Sequence, residues 1–170
     1  MREGGGRGPR KGKSLEVIVS HTNADFDSLA SMVAASKIYP RAGMVLAGAV
    51  NRNVREYLSL HGDMLEFLDL NSLDLEAVTR VIMVDTRSAD RVGDLGPVAR
   101  REGVEVFVID HHPRAQGDLE GAHDLSEPVG ATTTILVKLL RKLEIPVKPY
   151  EATLFALGIH EDTGSLTYAG

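Results

Sequence analysis

The sequence predicts an α/β domain built on a mostly parallel sheet with helices on both faces. Three observations lead there. Short, continuously apolar runs recur along the chain, as at Leu15–Ser20 (LEVIVS), Val81–Val84 (VIMV) and Val104–Ile109 (VEVFVI). Strands buried on both faces read this way, whereas a half-solvated strand alternates apolar and polar residues. Segments with helical spacing separate these runs, the alternation expected of strand–helix–strand crossovers. Finally, 170 residues are enough for one good hydrophobic core and too few for two comfortable domains.

The stretch Met1–Lys13 carries Arg2, Arg7, Arg10, Lys11 and Lys13 among glycines and cannot bury an apolar core. It is expected to be a flexible basic leader, with a nucleic-acid tether as the alternative, and the folded domain spans residues 14–170. Leu15–Ser20 is the first strand. A helix follows from about Ser28 to Ile38, with Leu29, Met32 and Val33 on one face and Ala30, Ala34 and Ala35 permitting close packing. Pro40 and Gly43 break the chain before a second short apolar run, Met44–Val50. Asn53–His61 reads as a helix closed by Gly62. After a less regular stretch come the strands Val81–Val84 and Val104–Ile109, with room for a short helix between them. Ile135, Leu136, Leu139, Leu140 and Leu143 then repeat at helical spacing. Lys138, Arg141 and Lys142 lie on the wet side of that helix, near the end where its dipole favours cations. Tyr150–Ile159 is expected to be a last helix, buried and apolar.

Composition excludes several functions. The absence of cysteine rules out disulfides and thiolate metal sites, so a metal must sit on oxygen and imidazole. A net charge of −5 argues against a broad basic surface for nucleic acid. No apolar run approaches the roughly 18 residues of a membrane span, and the N-terminus lacks the apolar core of a signal peptide, so a cytoplasmic protein is expected.

In parallel sheets, binding sites form beyond the carboxyl ends of the strands. The first strand runs into His21-Thr-Asn-Ala-Asp25-Phe-Asp27, the strand at Val81–Val84 into Asp85-Thr86, and the strand at Val104–Ile109 into Asp110-His111-His112. A fourth cluster, His160-Glu161-Asp162-Thr163-Gly164, is expected to follow the last helix. An isolated aspartate after a strand is usually a helix cap, and an isolated histidine is usually structural. Together on one edge they mean more, because crowded carboxylates raise each other's pKa unless a cation neutralises them. Donors of this kind suit manganese, magnesium or cobalt, with iron and zinc also open.

These four clusters, in this order, resemble the motifs of the DHH phosphoesterase family: a histidine and two spaced aspartates in His21–Asp27, Asp85, the triplet Asp110-His111-His112, and Asp162-Thr163. The resemblance implies two divalent metals, manganese first among the candidates. His21 and Asp25 would hold one and Asp27, His111 and Asp162 the other, with Asp85 and a water or hydroxide bridging them. It implies a catalytic pair, His112 facing substrate and Asp110 orienting an imidazole. Arg52, after the second strand, either reaches substrate phosphate or is simply solvated. Gly130-Ala-Thr-Thr-Thr opens a helix whose free amides, with Thr132, could attract phosphate; capping by Thr132 or Thr133 is the alternative. Thr86 and Arg87 are weaker candidates for substrate contact, and His61 and His123 match no motif.

Within the family, pyrophosphatases normally place a histidine after the second-motif aspartate, where this chain has Thr86. The string His21–Pro40 (HTNADFDSLASMVAASKIYP) is more similar to the DHH domain heading bacterial poly(A) polymerase or tRNA nucleotidyltransferase-like proteins, which also carry CBS domains. That resemblance implies a chain belonging to a longer RNA-processing protein, with DHH-associated, CBS and nucleotidyltransferase domains beyond Gly170. Three functions are expected in order: a phosphodiesterase on short oligonucleotides or RNA 3′ ends, a phosphoanhydride hydrolase for pyrophosphate or polyphosphate, and a non-catalytic nucleotide- or metal-binding module.

Overall fold

The computed structural model describes residues 14–120 and 123–168; the basic leader expected at residues 1–13 lies outside them. Among the described residues, β1 (Leu15–Val19), β2 (Ala42–Val45), β3 (Val78–Val84), β4 (Glu105–Ile109) and β5 (His123–Asp124) form one parallel sheet in the order β2-β1-β3-β4-β5. The chain leaves β1 toward one edge of the sheet and returns to build the other half from β3. The topological switch, where ligand sites form in such sheets, therefore lies between β1 and β3.

The faces of the sheet are covered unequally. Ile18, Ile82, Val84 and Ile109 point toward α1 (Phe26–Ile38), α4 (Thr132–Lys142) and α5 (Pro149–Asp162), with Val54 of α2 (Arg52–His61) at the margin. Their strand neighbours Val17, Val19, Val81, Met83 and Val108 point the other way, onto Leu95, Val98 and Ala99 of the short α3 (Leu95–Ala99). This period-two division makes continuously apolar strands necessary, because both faces of each are buried.

Small residues bring α1, α4 and α5 close together. A Cβ on Gly158 of α5 would lie 2.9 Å from both Ala30 Cβ and the Phe26 carbonyl oxygen and 3.0 Å from Thr133 Oγ1. Only glycine lets α5 approach the first turn of α1 so closely. At the far end of the same pair, Lys37 meets the buried Glu151 at 2.7 Å. The Lys148 N–H also donates to that carboxylate, capping α5.

Some boundaries differ from the sequence reading. β2 starts at Ala42 and includes Gly43, whose missing side chain makes room for Leu68. Residues beyond Val45 leave the sheet to pair with the loop after β1: Asn23 N–H donates to the Ala49 carbonyl and Asn51 N–H to the Ala24 carbonyl. β5 is two exposed residues with no apolar run to announce it. His160, Glu161 and Asp162 of the cluster expected after the last helix lie within it, since α5 continues through Asp162. That helix is only half buried: Leu154, Phe155 and Gly158 face inward while Ala152, Ala156 and Leu157 are exposed. Among the described residues, no helix is long and apolar enough to cross a membrane.

Candidate metal centre

Because β3 runs between β1 and β4, Asp85 emerges at the middle of the carboxyl edge with the other clusters on either side. Its backbone turns sharply there, with φ +59°, a left-handed conformation that aspartate tolerates better than most residues. The Asp85 carboxylate is buried. Ser28 Oγ donates to Oδ2 at 2.6 Å and Thr132 Oγ1 donates to Oδ1 at 3.1 Å.

Two imidazoles converge on this carboxylate. His21 Nδ1 donates to the Thr22 carbonyl at 2.8 Å, which leaves Nε2 3.3 Å from Asp85 Oδ2. His111 Nδ1 donates to the Val129 carbonyl at 2.9 Å, leaving Nε2 3.7 Å from Asp85 Oδ1 and 3.0 Å from Asp162 Oδ2. A backbone carbonyl on one ring nitrogen is the usual device for presenting the other to a metal. His111 Nε2 is buried and has no well-formed hydrogen bond; the 3.0 Å approach of Asp162 Oδ2 is an ionic contact.

The remaining carboxylates are held by helix ends. Asp25 caps α1 by accepting the Ser28 N–H at 2.9 Å. Asp27, fully buried in the first turn of α1, reaches across to α4. Its Oδ2 accepts the Thr132 N–H at 2.7 Å and its Oδ1 the Thr133 N–H at 2.9 Å. Asp162 enters from the last turn of α5, where Glu161 ties the two helices by accepting the Phe26 N–H at 2.7 Å.

Donor atoms of His21, Asp25 and Asp85 lie within 4.8 Å of one another, as do those of Asp27, Asp85, His111 and Asp162. The two groups share Asp85. A third overlapping group joins Asp85 and His111 to His112. Burial, reinforced by the Asp85 charge, pushes Asp27 up to about 7 and raises Asp25. Burial opposes charge on His111, but Asp162 and the Val129 carbonyl outweigh it and push the ring up to about 9. His21 is raised in the same way, against burial, by Asp85 and the Thr22 carbonyl. The raised carboxylates reflect burial and then crowding of negative charge, and the raised imidazoles reflect nearby carboxylates; a cation among them would relieve both. The unbonded His111 nitrogen, the two oriented imidazoles and the hard oxygen donors fit a divalent cation of the manganese, magnesium or cobalt kind.

Beside this centre, His112 is half exposed. Its Nδ1 is 2.7 Å from Asp110 Oδ1, and its ring lies 4.1 Å from that of His111. The Asp110 hydrogen bond raises His112, against burial; Asp110, also buried, is lowered by His112 and Arg87. Arg87 is buried and fixes this corner, donating from Nε to Asp110, from Nη1 to Asp124 and from Nη2 to the His112 carbonyl.

The structure therefore brings together His21, Asp25, Asp27, Asp85, His111 and Asp162, with His112 and Asp110 alongside. Two expectations do not fit it. The Arg52 side chain is 85% exposed and paired with Glu56 one helical turn on, so it does not reach the centre. Thr132 is fully buried behind Asp27 and Asp85 and supports those carboxylates rather than a substrate. The first amides of α4 are likewise taken by Asp27, which answers the choice between phosphate binding and capping by a threonine. Sequence reasoning overlooked Ser28, whose hydroxyl also lies 2.9 Å from His21 Nε2, and the organising role of Arg87. An arginine two residues past a strand-end aspartate was a visible signal; its partners, 23 and 37 residues away, were not.

Fold and donor groups define a parallel α/β domain with an aspartate–histidine centre on its carboxyl edge. The DHH family, N-terminal domain, matches residues 17–159, and the chain belongs to that family. It is 44% identical over 155 residues to the A-adding tRNA nucleotidyltransferase of Geobacter sulfurreducens, covering 91% of this chain and 18% of that protein. A probable manganese-dependent inorganic pyrophosphatase of Listeria innocua is 28% identical over 159 residues, 86% of this chain and 47% of that one. Among solved structures, an exopolyphosphatase-related protein from Bacteroides fragilis superposes with a TM-score of 0.71 over 91% of this chain and 48% of that one. At 18% identity that likeness concerns the fold alone. The chain spans less than half the length of each of these proteins.

Proposed function

We propose that this domain hydrolyses phosphodiester bonds in short oligonucleotides or RNA 3′ ends, using two divalent metals, as the N-terminal part of a longer RNA-processing protein. The observation that carries the metal reading is the sharing of Asp85 between two donor groups. When bound there, two such ions supply Lewis acidity for the attack of water on phosphorus. In this reading His21 and Asp25 serve one ion, Asp27, His111 and Asp162 the other, and Asp85 both.

The rest of the chemistry belongs to side chains. His112 has its Nδ1 occupied by Asp110, so Nε2 is the nitrogen free to face a substrate. Asp110 raises its pKa, which favours a proton on that nitrogen that it can pass to the departing oxygen. Arg87 and Asp110 keep the ring aimed. The 44% identity to a tRNA nucleotidyltransferase supports RNA as the substrate context. Phosphoanhydride hydrolysis is the second reading, supported by the pyrophosphatase relative. Thr86 speaks against it. It stands where the pyrophosphatase motif has a histidine, and it is buried with its hydroxyl accepting the Ser88 N–H.

Initial rates in manganese with a short RNA and with pyrophosphate test the reading. Release of mononucleotides, abolished by chelation, is expected. Turnover of pyrophosphate alone would move the assignment to the second reading, and metal binding without turnover of either would leave a non-catalytic module.

A further inference from the structure

Most arginines among the described residues are already neutralised: Arg41, Arg52, Arg80, Arg87, Arg100, Arg101 and Arg114 each form an ion pair. Arg55, Arg91 and Arg141 form none among the described residues, and of these Arg91 alone lines a cavity that also contains His112. That cavity holds about 310 Å³ between the segment after β3 and the loop after His112. Its walls include Thr86, Ser88 and Gln116, all neutral hydrogen-bonding side chains. The carboxylates that border it are already engaged. Asp110 accepts from His112 and Arg87, and Asp118 accepts the Ala115 N–H at 2.7 Å with Arg87 Nε 3.9 Å away.

The Arg91 backbone is pinned although its side chain is exposed. Ala89, two residues before it, and Val92, one after, are buried, and the Arg91 carbonyl accepts the Thr22 N–H, beside His21, at 2.7 Å. Gly93 has φ +56° and approaches the Ala47 carbonyl so closely that a Cβ would lie 2.5 Å from its oxygen. An unpaired guanidinium on a fixed base, lining the same cavity as His112, is a recognition device for phosphate oxygens.

We propose that Arg91 anchors a second phosphoryl group of the substrate, adjacent to the one under attack, in the cavity between Thr86 and Gln116. This rests on the phosphoesterase reading above and assigns it a direction: the substrate extends from the metal centre past His112 toward Arg91. The second phosphoryl group could belong to a neighbouring nucleotide or to a phosphoanhydride.

Calorimetric binding in manganese tests this without turnover. The probes are inorganic phosphate, imidodiphosphate, and a phosphorothioate-linked dinucleotide with and without a 5′-phosphate. Arg91→Gln should weaken imidodiphosphate or the 5′-phosphorylated dinucleotide by about tenfold or more, the loss of a charge-assisted hydrogen bond. Whichever of these two is affected identifies the source of the second phosphoryl group. Binding of phosphate, the unphosphorylated dinucleotide and manganese itself should stay within about twofold, and Arg91→Lys should recover part of the loss. Unchanged affinity for both two-phosphorus probes would overturn the proposal. So would an equal loss for phosphate, or a loss of manganese binding in the variant. Failure of the unaltered protein to bind manganese would instead defeat the metal-centre reading on which the proposal rests.

Discussion

Replacing Asp85 by asparagine separates the fold from the metal centre. Asparagine also tolerates the left-handed backbone at this position and can still accept from Ser28 or Thr132. The substitution removes the charge shared by both donor groups. At the 4.8 Å limit of those groups, two carboxylates repel by about 3.5 kcal/mol at an effective dielectric near 20. The attraction of His21 and His111 for Asp85 is of the same order and opposite sign. The chelated variant should therefore stay within about 1 kcal/mol of the unaltered protein. With manganese the two should diverge. A ligand at about a hundred times its dissociation constant stabilises by about 2.7 kcal/mol, roughly 5–11 °C for a domain of this size. The unaltered protein should show that rise over its chelated form, and Asp85→Asn less than about 2 °C. The assay is thermal unfolding by circular dichroism, with chelator and then with manganese. An equal rise in both proteins would refute Asp85 as a shared ligand. A variant that collapses even with chelator would show that its bonds to Ser28 and Thr132 matter more than its charge.

Three further outcomes follow. His111→Ala should weaken metal binding at least tenfold, whereas His112→Ala should keep both metals and lose about 10²–10⁴ in turnover; calorimetry beside initial rates separates them, and metal loss in the His112 variant would reverse the two roles. In chelator, His111 with its folded pKa near 9 contributes stability that is complete below the unfolded value of about 6.5 and lost as pH rises through 9, and Asp27, raised to about 7, has the same sign. The chelated protein should thus melt lower at pH 9 than at pH 6.5, and a flat profile would contradict the stated environment of His111. Gly158→Val should cost about 1–3 kcal/mol by forcing α5 off the first turn of α1. It should also weaken manganese binding, because Asp162 lies one turn further along the same helix; unchanged affinity would mean that α5 is free to adjust.

The strand-end clusters were legible because parallel strands buried on both faces leave few residue types inside them, so polar residues beyond their ends stand out. His21, Asp85 and Asp110–His112 each follow an apolar run directly. Asp162 was legible as a motif but misplaced, since nothing in His160–Gly164 announces that α5 carries on to Asp162. Arg52 misled for a local reason: the sequence offered a strand end as its neighbour, while Glu56 waited one helical turn away. Thr132 and the α4 amides misled for a distant one. Their partner is Asp27, 105 residues earlier, and no local pattern reveals that a carboxylate of the candidate metal site doubles as the cap of another helix.

The most direct test of the central claim is anomalous diffraction from crystals soaked in manganese. Two peaks are predicted, one among His21, Asp25 and Asp85 and the other among Asp27, Asp85, His111 and Asp162, with Asp85 bonded to both. A single peak, or two that do not share Asp85, would contradict it.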